Sequence, residues 1–356
     1  MTTPAAPPDN TRPSSFPVRW LRRILWAGAI AAALALAFAY LWPATRRFES
    51  YELRAISFLA FAIRTLIFHA AIGFTLLALC ALALRARRLA SLAALTGVVM
   101  LGPVALSLVA NPHPPADTPV LTILSANVLR GNADPASIAH QARQNNADII
   151  LIQEATPDFA RALRAELTGD YPFIEEASRT GAFGQLTLSR LPFVAPAEQY
   201  PQGELAQMFE PRAIINPADP QIRTRIEFNA HEIIIQNIHL TSPGGVEAVA
   251  QQLEQARWLA EWGTSEPAPA IMMGDFNTAP TSAHAAMLRS AGWRDAFASV
   301  GRGRGVTWPA IGFLSNFPGV RIDHAYSRNG LTPIEFRVLE AHNSDHRPVL
   351  ARFIIK

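Results

Sequence analysis

The sequence predicts an α/β (α+β) protein in which three transmembrane helices precede one large domain of β-sheets covered by helices. Charged residues make up 17% of the 356 residues, whereas an ordinary soluble chain has about 25%. The first 110 residues contain apolar runs long enough to span a bilayer. The rest of the chain alternates strand-like and helix-like segments. These three observations together predict the fold class.

Three apolar runs without Lys, Arg, Asp or Glu fill the N-terminal third, at residues 24–42, 65–84 and 89–110. Each has about the 20 residues that a helix needs to cross the hydrocarbon core. We interpret the first run as an uncleaved anchor rather than a secretory signal, because two further runs follow it. The apolar stretch framed by Arg54 and Arg64 either lengthens the second helix or lies on the membrane surface.

The distribution of arginine predicts a multi-pass topology with the N-terminus inside the cell. Four arginines precede the first run and three join the second to the third, against four in the loop between the first and second. No Lys or Arg occurs from Leu89 to Leu129, as expected of a translocated segment. We therefore expect the C-terminal domain to be extracytoplasmic.

A Pro-rich spacer at residues 111–118 separates the membrane anchor, residues 1–110, from a domain at residues 119–356. Residues 117–356 have 20 basic and 25 acidic residues, so this part is mildly acidic, unlike a typical nucleic-acid binder. The single cysteine, Cys80, excludes an intramolecular disulfide framework and a cysteine-based zinc cluster. The composition also excludes a disordered, collagen-like or coiled-coil protein.

The strand candidates of the domain are rich in Ile, Val, Leu and Phe, and several alternate apolar with polar residues. They are residues 120–126, 147–153, 183–189, 222–229, 232–238, 269–275, 321–326, 334–340 and 348–355. Helix candidates lie between them, at residues 134–145, 157–167, 246–262 and 281–291. Asp134 before Pro135 is a favourable helix start. The mixture predicts sheets covered by helices, with the chemistry on loops at the strand ends.

Polar residues recur where these apolar strands end. They are Asn127, Glu154, His239, Asp275 with Asn277, Asp323 with His324, and Asp345 with His346. A single Asp or Asn at a strand end usually caps a turn or a helix. Six such occurrences, all in residue types that suit phosphoryl chemistry, exceed what capping explains.

The stretches around these residues, in this order, resemble the DNase I-like endonuclease/exonuclease/phosphatase superfamily. The matching stretches are SANVLRGN, ILIQEAT, GQLTLSRLP, NIHLTSP, GDFNTAP, RIDHAYS and NSDHRPV. The resemblance covers residues 119–355, and GDFN and SDHRPV are its most specific parts. It implies two packed β-sheets flanked by helices, a four-layer α/β/β/α sandwich, and metal-dependent hydrolysis of phosphate esters.

The resemblance implies a site for Mg²⁺ or Mn²⁺, the hard cations that carboxylate oxygens bind. Glu154 matches the principal metal ligand, and Asn127 and Asp345 adjoin it. A bound cation neutralises the phosphate during attack on phosphorus.

The same match assigns catalytic roles. His346 takes the proton of the attacking water, and Asp323 orients its ring. In a second version of the family mechanism, the residue that matches Asp275 takes this proton, and both versions stay open. Asn277 holds the nucleophile or a phosphoryl oxygen, and His239 donates to a non-bridging oxygen.

Two further residues are candidates for substrate binding, Arg190 in LSRLP and His324 in RIDH, although a packing role is the simpler interpretation of His324. The loop 302–318 is basic and aromatic. It either meets a lipid headgroup and chain or packs as an ordinary loop.

The membrane anchor and the acidic domain favour a membrane-associated substrate: a phosphodiester, a lipid phosphate or a lipid pyrophosphate. The arrangement is similar to the membrane-anchored bacterial branch of the superfamily, which implies a bacterial inner membrane with a periplasmic catalytic domain. The alternatives are an extracytoplasmic endonuclease or exonuclease acting on DNA, and a catalytically dead membrane scaffold.

Overall fold

The computed structural model describes residues 16–106, 118–200 and 221–355. This part of the chain divides into two compact units. One contains the residues up to Leu41 together with Leu66–Gly102, and the other contains Trp42–Thr65 together with the residues after Gly102. The predicted spacer lies outside the described residues except for Thr118.

The first unit is helical. It contains α1 (Phe16–Leu41) and α3 (Ile67–Ala83) and most of α4 (Arg87–Leu106), while α2 (Tyr51–Thr65) belongs to the second unit. Small and aliphatic residues form its core, namely Ala29, Ala81, Leu89 and Ala90. The guanidinium of Arg22 donates to the carbonyl of Leu84 at the end of α3.

The structure corrects the prediction of three transmembrane helices. Among the described residues, one unbroken helix, Pro17–Leu41, is long and apolar enough to span a bilayer, and a signal sequence near an N-terminus has the same features. The second predicted span is broken at Leu66, and α3 has only 17 residues. At 1.5 Å per residue α3 is shorter than the roughly 30 Å hydrocarbon core, so a second span requires α2 and α3 together. The third predicted span continues through residues 107–110, outside the described residues, and a multi-pass arrangement is not supported.

The second unit contains two mixed β-sheets and the helices that cover them. Its strands are β1 (Leu121–Asn127), β2 (Ile149–Gln153), β3 (Phe173–Ala177), β4 (Gln185–Ser189), β5 (Glu198–Tyr200), β6 (Gln221–Phe228), β7 (His231–His239), β8 (Ala270–Asp275), β9 (Arg294–Asp295), β10 (Asp323–Arg328), β11 (Leu331–Val338) and β12 (Val349–Ile355). Its helices after α2 are α5 (Pro135–Gln144), α6 (Pro157–Glu166), α7 (Val246–Ser265), α8 (Ala283–Ser290) and α9 (Ala296–Val300), with a 3₁₀ turn at Phe313–Asn316.

Each sheet has six strands in the described part of the chain. The first has the order β11-β12-β1-β2-β4-β3 and the second the order β5-β6-β7-β8-β10-β9. The strands β1 and β2 are parallel, as are β7 and β8, and the other pairs are antiparallel. The carboxyl ends of both parallel pairs carry the polar residues singled out in the sequence.

The alternation of side chains along the strands builds the layers. On the inner faces, Ile149 and Leu151 of the first sheet share a core with Ile271 and Met273 of the second. On the outer face of the first sheet, residues such as Ile150 pack against α5 and α6. The outer face of the second sheet packs against α7 and α8 through Leu259, Trp262 and Leu288. The two packed sheets with helices on both sides confirm the predicted α/β/β/α sandwich.

Candidate active site

Strand register brings the predicted polar residues to one edge of the two sheets. Asn127 ends β1 opposite Gln153 of β2, and Glu154 follows directly. His239 ends β7 opposite Asp275, the last residue of β8. Asp323 begins the antiparallel strand β10 and therefore also lies opposite Asp275. Parallel strands end at the same edge, and an antiparallel neighbour begins there.

Asp275 lies at the centre of the site. Its Oδ2 accepts hydrogen bonds from Nδ2 of Asn127 at 3.0 Å and of Asn277 at 3.1 Å, and its Oδ1 accepts the backbone N–H of Asn277 at 2.8 Å. The Nε2 atoms of His239 and His346 each lie 3.7 Å from the same Oδ2. Burial raises the pKa of Asp275 to about 6, although the neighbouring imidazoles act in the opposite direction.

His346 is held by Asp323. Its Nδ1 lies 3.0 Å from Oδ2 of Asp323, and its backbone N–H donates to the hydroxyl of Ser344. Nε2 is therefore the ring atom that faces Asp275. Burial alone would lower the pKa of His346, but the carboxylates of Asp323 and Asp275 outweigh it and raise the pKa to about 10.

Glu154 occupies a left-handed backbone conformation with φ 60°, which non-glycine residues rarely adopt. This conformation turns its carboxylate toward the site, where Oε1 accepts from Nδ2 of Asn127 at 3.2 Å and Oε2 accepts the backbone N–H of Arg130 at 2.9 Å. Burial raises its pKa above the ordinary value. Strained backbone of this kind clusters at functional sites.

His239 faces Glu154 and Asp275 on the side of the second sheet. Its Nε2 lies 3.8 Å from Oε1 of Glu154. Gln221 fixes its backbone, because the side-chain carboxamide both donates to the carbonyl of His239 and accepts from its N–H. Burial lowers the pKa of the imidazole, which favours its neutral form.

The predicted ligand positions fit a divalent cation. Four carboxylates converge here and, within the described ranges, none forms an ion pair with Lys or Arg: Glu154, Asp275, Asp323 and Asp345. Oδ1 of Asp345 is buried and accepts no hydrogen bond. An unsatisfied buried carboxylate oxygen beside other carboxylates suits a cation that prefers oxygen ligands.

A second donor set shares no residue with the predicted one but adjoins it through the 3.0 Å hydrogen bond from Asn127 to Asp275. Ligand atoms of Asp275, Asp323 and His346 lie within 4.8 Å of one another. The site therefore offers oxygen and nitrogen donors on both sides of Asp275.

The structure does not bring Arg190 to this edge, and His324, which follows Asp323 at the edge and pairs with Gly274, is closed off from the cluster by burial. Arg190 follows Ser189, which pairs with Ile149 at the start of β2, so it lies at the opposite edge, where its guanidinium stacks over the ring of Tyr171 at 4.9 Å. His324 is 0% exposed. Its ring accepts from Arg321 at Nδ1 and donates from Nε2 to the carbonyl of Thr278.

Several buried polar residues that the sequence did not single out support the site. Nε2 of Gln153 donates to Oδ1 of Asn237 at 2.8 Å and links the two sheets beneath the catalytic residues. Both stand where an apolar strand is interrupted by amides, in ILIQE and IIIQNIH, and that interruption was the available signal. Gln252, on α7, donates to the carbonyls of Phe276 and Asn277.

An exposed apolar segment adjoins the site; we call Ile311–Phe317 the apolar tip. Phe313 is 74% exposed, Leu314 55% and Phe317 53%. The residues just before the tip are bound to Asp345: Nε1 of Trp308 donates to its Oδ2 at 3.2 Å and the N–H of Ala310 donates to its carbonyl at 2.7 Å.

The two-sheet sandwich and its cluster of carboxylates and imidazoles define a phosphoesterase-type site. The sequence model of the Endonuclease/Exonuclease/phosphatase family matches residues 124–346, and the chain belongs to this family. Members of this family hydrolyse phosphate esters as nucleases and phosphatases, and they use divalent metals.

Solved structures show the same fold. An endonuclease/exonuclease/phosphatase from Beutenbergia cavernae is 19% identical with a TM-score of 0.51, over 66% of this chain and 72% of that one. A humanized D. rerio TDP2 is 19% identical with a TM-score of 0.52, over 66% and 98%. A family protein from Bacteroides thetaiotaomicron is 18% identical with a TM-score of 0.50, over 69% and 97%. No curated protein matches this chain.

Proposed function

We propose that the domain at residues 119–356 hydrolyses phosphate esters with Mg²⁺ or Mn²⁺, and that its substrate is a lipid-linked phosphate ester at a membrane surface. The observation that carries the proposal is the convergence of Glu154, Asp275 and His346 on one edge, beside an exposed apolar tip.

Glu154 and Asp345 would hold the cation, with Asn127 orienting the carboxylate of Glu154. When bound, the cation supplies positive charge against the phosphate oxygens. We infer that the proton of the attacking water goes to Oδ2 of Asp275, which lies 3.7 Å from Nε2 of His346, because the raised pKa of His346 keeps its own ring protonated. Asp323 keeps Nε2 of His346 directed at Asp275 through Nδ1.

His239 is placed to donate to a phosphoryl oxygen as negative charge builds on it. The structure modifies the role expected of Asn277. Its two amide hydrogens are engaged by the carbonyl of Leu240 and by Oδ2 of Asp275, so in this arrangement Asn277 orients Asp275 and offers the substrate only its oxygen.

Three features support a lipid-linked ester over DNA. The apolar tip exposes two phenylalanines and a leucine next to Asp345, and solvated apolar clusters of this kind mark contact surfaces. The helix α1 has the length and composition of a membrane span. The excess of acidic over basic residues in 117–356 disfavours the binding of duplex DNA, which is a polyanion.

The absence of Lys and Arg from Leu89 to Leu129, just before the domain, supports an extracytoplasmic domain with a cytoplasmic N-terminus. This orientation would place the site at a periplasmic membrane surface, as in the membrane-anchored bacterial branch.

A substrate panel tests the proposal. The full chain in detergent, with Mn²⁺, is assayed on a lipid phosphate, a lipid pyrophosphate, a lipid phosphodiester and duplex DNA. We expect turnover of a lipid substrate and its loss, by at least about a hundredfold, in Asp275→Asn and in His346→Ala. Asp158→Asn is the matched control, since Asp158 pairs only with exposed Arg161. Cleavage of DNA alone, falling steeply with salt, would refute the lipid assignment, and full activity of both variants would refute the site.

A further inference from the structure

The carboxamide of Gln252 joins the two loops that carry His239 and Asn277. Its Nε2 donates to the carbonyl of Thr241 at 2.8 Å, of Asn277 at 2.9 Å and, at a longer 3.3 Å, of Phe276. Gln252 is fully buried on α7. One side chain therefore ties the loop after β7 to the loop after β8.

The orientation of this carboxamide is determined by its neighbours. Carbonyl oxygens only accept hydrogen bonds, so the NH₂ group of Gln252 must face them and its Oε1 must face Nδ1 of His284, 2.9 Å away. Nδ1 then carries the proton, and His284 is fixed as the neutral Nδ1–H tautomer. Burial, reinforced by the charge of Arg64, lowers the pKa of His284 to about 3, in agreement with a neutral ring.

Helix α2 covers His284 from the other side. The ring of Phe61 lies 5.2 Å from the imidazole, centroid to centroid, and Phe61 is buried. One turn later, Nε of Arg64 donates to the carbonyl of Thr281 at 2.9 Å, and the hydroxyl of Thr281 donates to the carbonyl of Arg64 at 2.5 Å. The helix is thus bonded directly to the segment that follows the GDFN stretch.

The contact extends along the whole segment before α3. Arg54 pairs with Glu247 at 2.9 Å, Arg47 pairs with Glu254 at 2.7 Å, and Arg257 donates to the carbonyl of Thr45. Exposed ion pairs contribute little energy, so the buried Phe61 and the bonds of Arg64 carry most of the attachment. The salt bridges set the register of the segment on α7.

We propose that α2 is a positioning element of the catalytic site, which acts through His284 and Gln252 on the backbone of Phe276 and Asn277. This inference rests on the proposed function and adds a part to it. Residues 51–65 lie outside the stretch 124–346 that the family model matches. Gln252 and His284 touch no substrate and act through Asn277, which in turn orients Asp275.

Substitutions of His284 test the hydrogen-bond chain. His284→Phe keeps a ring against Phe61 but removes the donor to Gln252, whereas His284→Gln keeps a donor. In the full chain, with a soluble phosphodiester and Mn²⁺, we expect His284→Phe to lower kcat at least about tenfold with little change in KM, and His284→Gln to restore most of it. His140→Phe, an exposed imidazole on α5, is the matched control.

Hydrogen exchange tests the same positioning through the protection of backbone amides and does not require turnover. The peptide that covers residues 276–282 should exchange faster in His284→Phe and in Phe61→Ala than in the unsubstituted chain, while peptides of β1 and β2 stay protected. Unchanged exchange and unchanged kcat in both variants would overturn the inference. An inactive unsubstituted chain that still shows the exchange difference would refute the proposed function and leave the positioning role standing.

Discussion

Two buried histidines behind the active site are held in opposite tautomers. His284 donates from Nδ1 to Gln252, whereas His324 accepts at Nδ1 from Arg321 and donates from Nε2 to the carbonyl of Thr278. Burial first, and then a neighbouring arginine, lowers the pKa of each ring to about 3. Both rings are therefore neutral in the folded protein at pH values where an exposed histidine is charged.

These two residues predict that acid destabilises the fold. Between the unfolded pKa near 6.5 and the folded pKa of about 3, the unfolded chain binds protons that the folded chain excludes. The contribution of these two rings to the free energy of unfolding is thus complete above pH 6.5 and falls with decreasing pH, by up to about 1.4 kcal/mol per pH unit for each ring. Denaturant unfolding followed by tryptophan fluorescence should show a smaller pH slope for His284→Gln than for the unsubstituted chain. An equal slope would contradict the burial argument, and His140→Gln should leave the slope unchanged.

The expectation that polar residues at the ends of apolar strands form the site explains which site residues the sequence could predict. It held for Asn127, Glu154, His239 and Asp275, because their strands run in the same direction within each sheet. Arg190, a candidate through the resemblance of LSRLP, lies at the far edge, because β4 runs antiparallel to β2. Sequence alone does not state strand direction. Gln252 gave no signal at all, since a glutamine in a helix is ordinarily a solvated residue.

At the scale of elements, apolar patterning located nine strands and four helices of the sandwich to within a few residues. It missed the strands β5 and β9, which have three and two residues, and the five-residue helix α9. It also missed β3, FIEEA, whose side chains are all half-buried and whose sequence therefore lacks a clear apolar face. The starts of helices could be predicted because a capping residue lies next to its helix in the sequence. The carboxylate of Asp134 accepts the N–H of Ser137, as expected of a cap before Pro135.

The apolar tip predicts a difference between lipid and soluble substrates. Replacing Phe313, Leu314 and Phe317 together by Ser removes side chains that gain free energy on entering a bilayer, about 1.5–3 kcal/mol each when fully buried. We expect at least tenfold slower hydrolysis of a vesicle-embedded lipid phosphate, and an unchanged rate on a soluble phosphodiester. Val194→Ser, at another exposed apolar site, is the control. Equal loss on both substrates would instead indicate damage to Asp345.

At the scale of the whole molecule, the excess of carboxylates predicts that the fold is stabilised by its cation. A ligand that binds only the folded state adds about 2.7 kcal/mol when its concentration is a hundred times its Kd. Mn²⁺ or Mg²⁺ should raise the melting temperature of the full chain and EDTA should reverse the rise. The double variant Glu154→Gln, Asp345→Asn should show no response, and Asp158→Asn should respond fully. A response that survives the double variant would place the cation elsewhere.

Domain organisation was harder to predict than the sandwich. Apolar composition indicates burial but does not distinguish a bilayer from a protein surface. Residues 51–65 have the composition of a membrane-proximal helix, yet the structure packs them against α7 and α8, with Arg54 on Glu247 and Arg64 on the carbonyl of Thr281. Arg54 and Arg64, which frame this apolar stretch in the sequence, are hydrogen-bonded to residues more than 190 positions away in the chain.

The strand β12, the last in the described residues, lies inside the first sheet, where it pairs with β11 on one side and with β1 on the other. A nascent chain leaving the ribosome cannot complete this sheet until Val349–Ile355 have been synthesised. Asp345 and His346 come just before that strand, so the strand that closes the sheet also brings these two groups into place. Residues 345–355 must therefore be synthesised before the site can act, and a product that terminates before them would carry the N-terminal helices without hydrolytic activity.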